Sequence, residues 1–182
     1  MPRVAIFLDR DGVINVNRDD YVKSWDEFQF LPTVLEALAL LASMPALIVI
    51  VTNQSAVGRG IIPRVTLDDI HRRMLRIIEN NGGRIDAIYV CPHAPWENCP
   101  CRKPRPGLLL QAQRDLDIDL PASYLIGDRS TDIQAAQAVG AHTILIPAPD
   151  FPRPYPSVDL IAPDLLSAAR WLTDKLSPLP PD

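Results

Sequence analysis

Five short runs of apolar residues, at 4–8, 47–51, 85–90, 123–126 and 143–146, punctuate the chain. Each run is nearly continuous in Val, Ile and Leu instead of alternating with polar residues, as in strands covered on both faces. Between them lie stretches with helical spacing, at 33–43, 66–80, 107–116, 131–139 and 164–176. In the second of these, Leu67, Ile70, Met74, Ile77 and Ile78 form one apolar stripe. Thr66 and Asp69 resemble a capping box at its start, and Gly82-Gly83 stops it. Ser130 is placed to cap the fourth helix and Gly140 to close it. Strands alternating with helices in this way predict an α/β fold with a doubly wound parallel sheet and right-handed crossovers.

Three stretches break the rhythm: 12–30, 91–106 with three cysteines and five prolines, and the Pro-rich connector 147–156. A short apolar piece, Leu160-Ile161, precedes the last helix, and the Pro-rich tail 177–182 is expected to fray. A length of 182 residues suits one core, so 1–182 reads as a single domain. A hydrophobic fraction of 47% and a mean hydropathy of +0.04 indicate a globular chain. No apolar run approaches the ~18–20 residues of a membrane span. The chain enters a strand without a signal-peptide pattern, so a cytoplasmic protein is expected. A net charge of −4 and a pI near 5.3 argue against a nucleic-acid surface but leave room for a local basic pocket.

The candidate chemistry follows the strands. Asp9 and Asp11, in Phe7-Leu8-Asp9-Arg10-Asp11-Gly12, close the first strand. Such a pair can hold a divalent cation, and one member can attack an electrophile. After the second strand comes Thr52-Asn53-Gln54-Ser55; after the cysteine loop come Arg102 and Lys103; after the fourth strand comes Gly127-Asp128-Arg129-Ser130-Thr131-Asp132. In a parallel sheet these ends share one edge. A carboxylate cluster, a hydroxyl and cations converging there suit metal-assisted attack on a phosphoryl group.

These four segments, in order and spacing, resemble the motifs of the haloacid dehalogenase (HAD) superfamily of phosphohydrolases, from Val4 to about Ile146. The resemblance implies a Rossmann-like, HAD-like fold without a cap domain, in which residues 12–30 and the cysteine loop wall the pocket. It implies Asp9 as nucleophile and Asp11 as the acid and later base. Thr52 would then donate to a phosphoryl oxygen, and Lys103 would neutralise charge. It further implies Mg²⁺ held by the Asp9 carboxylate, the Asp11 backbone carbonyl and Asp128. Asp132 is either a supporting residue of that site or a favourable charge at a helix start.

Cys91-x-His93 and Cys99-x-Cys101 offer the Cys₃His set of a closed structural Zn²⁺ site. The alternatives are three free cysteines beside a surface histidine, or a disulfide with one thiol left over. Zinc there, with the loop prolines, would fix where Arg102 and Lys103 point. The segment Cys91-Pro92-His93 through Cys99-Pro100-Cys101-Arg102-Lys103-Pro104 is similar to the branch holding D-glycero-D-manno-heptose-1,7-bisphosphate 7-phosphatases and histidinol phosphatases. Thr52-Asn53-Gln54-Ser55 with Gly58-Arg59-Gly60, and Asn15 with Tyr21-Val22, lie nearer the heptose members; Ser55 stands where histidinol phosphatases tend to carry Asp.

Arg59, Arg102 and Arg129 are candidate grips for a second phosphate, since Arg binds phosphate bidentately. Arg10, Asn53, Gln54 and Ser55 complete the expected substrate contacts, and Asp19, Asp20 and Tyr21 either touch the sugar or form a solvated flap. The expected partner is a small phosphorylated sugar, with histidinol phosphate or another sugar phosphate as alternative, and the expected form is a monomer. A non-catalytic zinc-bearing domain is the third class, disfavoured because every residue the chemistry needs is present. Elsewhere, His71 reads as solvated and His142 as a local contact. Asp115-x-Asp117-x-Asp119 reads as a helix end. Trp25, Trp96 and Trp171 read as packing anchors, with Trp96 the one to test for substrate contact.

Overall fold

Six parallel strands form one sheet in the computed structural model of the protein, which describes residues 2–176. The tail 177–182, read above as frayed, lies outside the described residues. The strands are β1 (Ala5–Leu8), β2 (Leu47–Asn53), β3 (Ala87–Cys91), β4 (Tyr124–Gly127), β5 (His142–Leu145) and β6 (Leu160–Ile161), in the order β3-β2-β1-β4-β5-β6. The helices are α1 (Val34–Ala42), α2 (Ser55–Gly58), α3 (Arg64–Asn80), α4 (Gly107–Leu116), α5 (Ser130–Gln137) and α6 (Leu165–Leu176).

The unbroken apolar runs are explained by two separate cores. Ile6, Leu8, Ile48, Ile50 and Ile126 point to one face, against α1, α3 and α6. Ala5, Phe7, Val49, Val51 and Leu125 point to the other, against α4 and α5. Successive strand residues face opposite sides, so a strand buried on both must be apolar throughout. The chain order reverses between β1 and β4, and ligands bind outside the strand ends at such a switch point. The register pairs Leu8 with Ile50 and with Ile126, which brings Asp9 level with the exits of β2 and β4.

Several expectations need correction. The piece Leu160-Ile161 is a sixth strand paired with β5, and α2 was not expected. The capping box at Thr66 and Asp69 is not formed: α3 starts earlier, at Arg64, and Asp69 pairs with Arg72 and Arg73 instead. Ser130 lies inside α5, whose first turn is closed by Asp132 accepting the Arg129 N–H at 3.1 Å. Gly140 does turn the chain after α5, at φ +73°. Among the described residues no separate domain interrupts the path from β1 to Lys103, and no helix is long and apolar enough to cross a membrane.

Candidate active site

The turn after β1 is a backbone knot. The Arg10 carbonyl accepts N–H groups from Val13, Ile14 and Asn15, and the Asp9 N–H donates to Ile126 of β4 at 3.0 Å. Gly12 sits at φ +84°, where a Cβ would run into the Asp128 carboxylate. Gly127 has the same constraint: a Cβ there would meet the Asp132 carboxylate. Both glycines therefore let acidic side chains approach the backbone closely.

Lys103 joins the edge together. It is 3% exposed, and its ammonium donates to the Val51 carbonyl at 2.8 Å and forms ion pairs with Asp9 Oδ1 at 3.0 Å and Asp132 Oδ1 at 2.6 Å. Asn53 fixes its backbone from both sides, donating to the Lys103 carbonyl at 3.2 Å and accepting its N–H at 3.1 Å. Burial works against the charged ammonium, but Asp132 and Asp9 outweigh it and raise the Lys103 pKa. Asp132, whose role the sequence left open, thus caps α5 and holds Lys103.

Burial pushes the Asp9 carboxyl up; Lys103 pulls it down, while Asp132 and Asp11 push it further up, to about 7. Burial, Asp9 and Asp132 likewise raise Asp128 to about 8. Asp11 lies in a different environment. Arg10 Nη2 donates to its two oxygens at 2.8 and 3.0 Å, Asn15 Nδ2 to Oδ1 at 2.9 Å and Gln54 Nε2 to Oδ2 at 2.6 Å. Burial raises its pKa, but the Arg10 charge and these hydrogen bonds outweigh it and hold the carboxyl below its ordinary value. Gln54 also donates to Thr52 Oγ1 at 2.9 Å, leaving the Thr52 hydroxyl proton to be given elsewhere.

Two donor clusters fit metal ions. Carboxylate oxygens of Asp9, Asp128 and Asp132 lie within 4.8 Å of one another. Asp128 Oδ1 and Asp132 Oδ1 are both buried without a hydrogen-bond partner, but Asp132 Oδ1 lies 2.6 Å from the charged Lys103 ammonium and Asp132 Oδ2 accepts from Arg129. A buried carboxylate oxygen without a partner beside a second carboxylate, both with pKa values raised first by burial and further by neighbouring carboxylates, suits a hard divalent cation. The second cluster is Cys91 Sγ, His93 Nδ1, Cys99 Sγ and Cys101 Sγ, also within 4.8 Å. Its sulfurs are 3.4 Å apart along Cys91–Cys99–Cys101, and His93 Nδ1 is 3.2 Å from Cys101. The cysteines are free, so the disulfide alternative does not hold in this structure, and the Cys₃His donor set has the size of a tetrahedral zinc site.

A cavity of about 270 Å³ opens onto these groups. Its walls carry Arg18, Arg59, Arg102 and Arg129 around Asp9, Asp11, Lys103 and Asp128. Asn53, Gln54, Ser55 and Tyr21 also line it, so the 12–30 segment and the cysteine loop do supply walls. Arg102 Nη1 is buried with no partner, Arg59 stacks on Trp96 with 4.9 Å to the ring centroid, and Arg129 pairs with Asp150 at 2.9 Å. Arg10 borders the cavity, but both its Nη atoms are held by Asp11 and His71. Asp19 lines a neighbouring cavity, and Asp20 is exposed and paired with Lys23.

His71 corrects the reading as solvated: it is 7% exposed and faces Arg10. The signal was present, since position 71 falls four after Leu67 and three before Met74, on the apolar stripe. Asn17 and Arg18, also lining the cavity, carried no sequence signal strong enough to be singled out. His142 is a local contact as read, with Asp159 at 2.9 Å and stacked on Tyr124. Trp25 and Trp171 pack against Phe28 and Tyr124.

Comparison with known proteins adds a family. A HAD-hydrolase-like family profile matches residues 100–154. The D-glycero-beta-D-manno-heptose-1,7-bisphosphate 7-phosphatase of Pseudomonas aeruginosa is 37% identical over 176 residues, covering 94% of this chain and 99% of that one. The enzyme of the same name from Yersinia pestis is 39% identical, covering 97% and 93%. Among solved structures, the D,D-heptose 1,7-bisphosphate phosphatase of B. bronchiseptica, complexed with magnesium and phosphate, superposes with a TM-score of 0.88 at 37% identity, covering 94% of this chain and 99% of that chain.

Proposed function

The chain belongs to the family of D-glycero-beta-D-manno-heptose-1,7-bisphosphate 7-phosphatases, within the HAD-like hydrolases, and we propose that it removes the 7-phosphate of D-glycero-D-manno-heptose 1,7-bisphosphate through an aspartyl-phosphate on Asp9. The observation that carries this reading is the convergence of Asp9, Lys103 and Asp128 at one sheet edge, under a pocket whose walls carry Arg18, Arg59, Arg102 and Arg129 in addition to Arg10. A bisphosphate needs cations beyond those that serve the reacting phosphate, and the walls provide them.

Asp9 attacks phosphorus, and the bond to the sugar oxygen breaks. That oxygen takes a proton from Asp11. Water then attacks the aspartyl-phosphate, giving its proton to Asp11 and releasing inorganic phosphate. The donors on Asp11 favour its ionised form in the free protein, which suits the second half. The negative phosphate approaching it raises its proton affinity for the first half. Thr52 donates to a phosphoryl oxygen, and Lys103 neutralises charge on Asp9 and the phosphoryl group. Asp9, Asp128 and the Asp11 carbonyl are the proposed holders of Mg²⁺, which when bound supplies charge neutralisation for the transferring group. Cys91, His93, Cys99 and Cys101 are proposed to hold a structural Zn²⁺ that keeps Arg102 and Lys103 aimed at the pocket. Arg59, Arg102 and Arg129 are assigned to the second phosphate. The proposed working form is a single-domain cytoplasmic monomer.

The test is phosphate release with Mg²⁺ from heptose 1,7-bisphosphate and from histidinol phosphate. We expect kcat/KM to favour the bisphosphate by at least about tenfold, the worth of one extra ion pair of about 1.4 kcal/mol. The reverse preference would remove the heptose reading while keeping the phosphatase. Asp9→Asn is expected to lose at least about 10³-fold with both substrates. Retained activity in that variant would remove the phosphatase mechanism itself.

A further inference from the structure

His71 touches neither the cavity nor any proposed metal ligand, yet it is the far end of a chain of hydrogen bonds that reaches Asp11. It projects from α3 on the apolar stripe, with its Nε2 at 3.1 Å from Arg10 Nη1. A guanidinium can only donate, so Nε2 accepts and Nδ1 carries the ring proton. The other Arg10 terminus, Nη2, donates to both Asp11 oxygens. Arg10 is 1% exposed, and its Nε finds no partner. Its orientation therefore rests on two anchors, Asp11 at one end and His71 at the other. The guanidinium is a rigid planar fork, so fixing Nη1 fixes the direction of Nη2.

We propose that His71 is a positioning residue for the acid–base chemistry: by accepting from Arg10 it sets the angle at which Arg10 grips Asp11, and so where Asp11 meets the leaving oxygen. Proton transfer is sensitive to such placement, because general acid–base catalysis requires the acid within hydrogen-bond reach of its target. The inference rests on the reading that Asp11 moves protons. A bland alternative is that His71 only fills space between α3 and the sheet, a task that Leu would perform equally well. His71 also borders an open groove between α3 and β3, lined by Arg72, Leu75, Ile88 and Val90, so a Leu side chain has room.

Leaving groups separate these readings. A sugar alkoxide needs a proton from Asp11, whereas p-nitrophenolate leaves without one. In the Mg²⁺-loaded enzyme, His71→Leu is expected to lower kcat/KM for the sugar phosphate about tenfold and for p-nitrophenyl phosphate less than about twofold. His71→Gln, whose amide oxygen reaches nearly as far as Nε2, is expected to stay within about threefold of wild type on both. His71→Asn, with a shorter reach, is expected to behave as His71→Leu and replaces it should that variant fail to fold. Equal losses on both substrates, or no loss on either, would overturn the proposal. Asp11→Asn serves as the reference. If it is inactive on the sugar phosphate while His71→Leu is unimpaired, only the His71 proposal falls; if it is fully active, the acid–base reading of Asp11 falls.

Discussion

Lys103 illustrates how single residues are settled here. An ammonium taken out of water costs several kcal/mol unless it is compensated, and here it donates to the Val51 carbonyl and lies within 3.0 Å of the Asp9 and Asp132 carboxylates. His71 is the opposite case, a titratable group kept neutral. Burial, then the Arg10 charge, lower its pKa to about 3, from an ordinary value near 6.5. Between those values the unfolded chain binds more protons than the folded one, so stability gained from a neutral His71 is lost as pH falls. The slope is at most about 1.4 kcal/mol per pH unit. His71→Gln has no such group. The difference in urea-unfolding free energy between wild type and His71→Gln should therefore widen in favour of wild type as pH rises from about 4.5 to about 6.5, then level off. A difference independent of pH would mean that the pocket tolerates the imidazolium.

At the scale of elements, the turns do more than connect. Gly127 ends β4 where the Asp132 carboxyl folds back over it. Gly127→Ala is expected to displace Asp132 from Lys103 and reduce turnover about 10²-fold, with about 1–3 kcal/mol lost in stability. Circular dichroism with denaturant titration checks the second number, and near-normal activity would show that the turn has slack. The loop between β3 and α4 is held differently. Arg105 donates to the carbonyls of Asn98 and Cys99 at 2.6 Å, and Gly58 of α2 donates to Pro92 at 2.8 Å. Cys91 and His93 at the start of this stretch meet Cys99 and Cys101 near its end, so a metal held there would tie its two halves together, which is the physical case for a zinc clasp. Stripping zinc with a chelator, or Cys101→Ser, should expose the 92–102 backbone to proteolysis and lower kcat/KM at least about fivefold. Resistance to protease with full activity after verified zinc removal, assayed with Mg²⁺ restored, would exclude the clasp.

Taken whole, the fold gathers like charges and leaves them unbalanced. Asp9 and Asp128 share the switch point of the sheet; burial, with Asp132 and Asp11, raises the Asp9 pKa to about 7, and burial, with Asp9 and Asp132, raises that of Asp128 to about 8. A cation binds their ionised forms, so it must displace protons below those values. Mg²⁺ affinity is accordingly expected to rise between about pH 6 and pH 8 and to flatten above. Calorimetry in buffers of different ionisation heat should detect the released protons; pH-independent binding without proton release would mean that the carboxylates are already ionised.

The sheet class, the two covered faces and the acidic and basic residues at strand exits follow from local pattern, because a strand buried on both sides must be apolar and its polar residues fall where it ends. The Asp9, Thr52 and Asp128 segments were legible for that reason, whereas Lys103 was picked out by its place in the order of motifs that resemble those of the haloacid dehalogenase superfamily, and the Cys₃His loop by the clustering of its ligand types. The partnerships were not. Arg10 and His71 are 61 positions apart, and Gln54 and Asp11 are 43. Whether such groups meet depends on register and on the angle at which a helix lies on the sheet, quantities that no local spacing contains. The same holds for Leu160-Ile161, whose pairing required the edge of β5 to be free. Local sequence placed the candidate groups near one edge, and packing decided which of them meet.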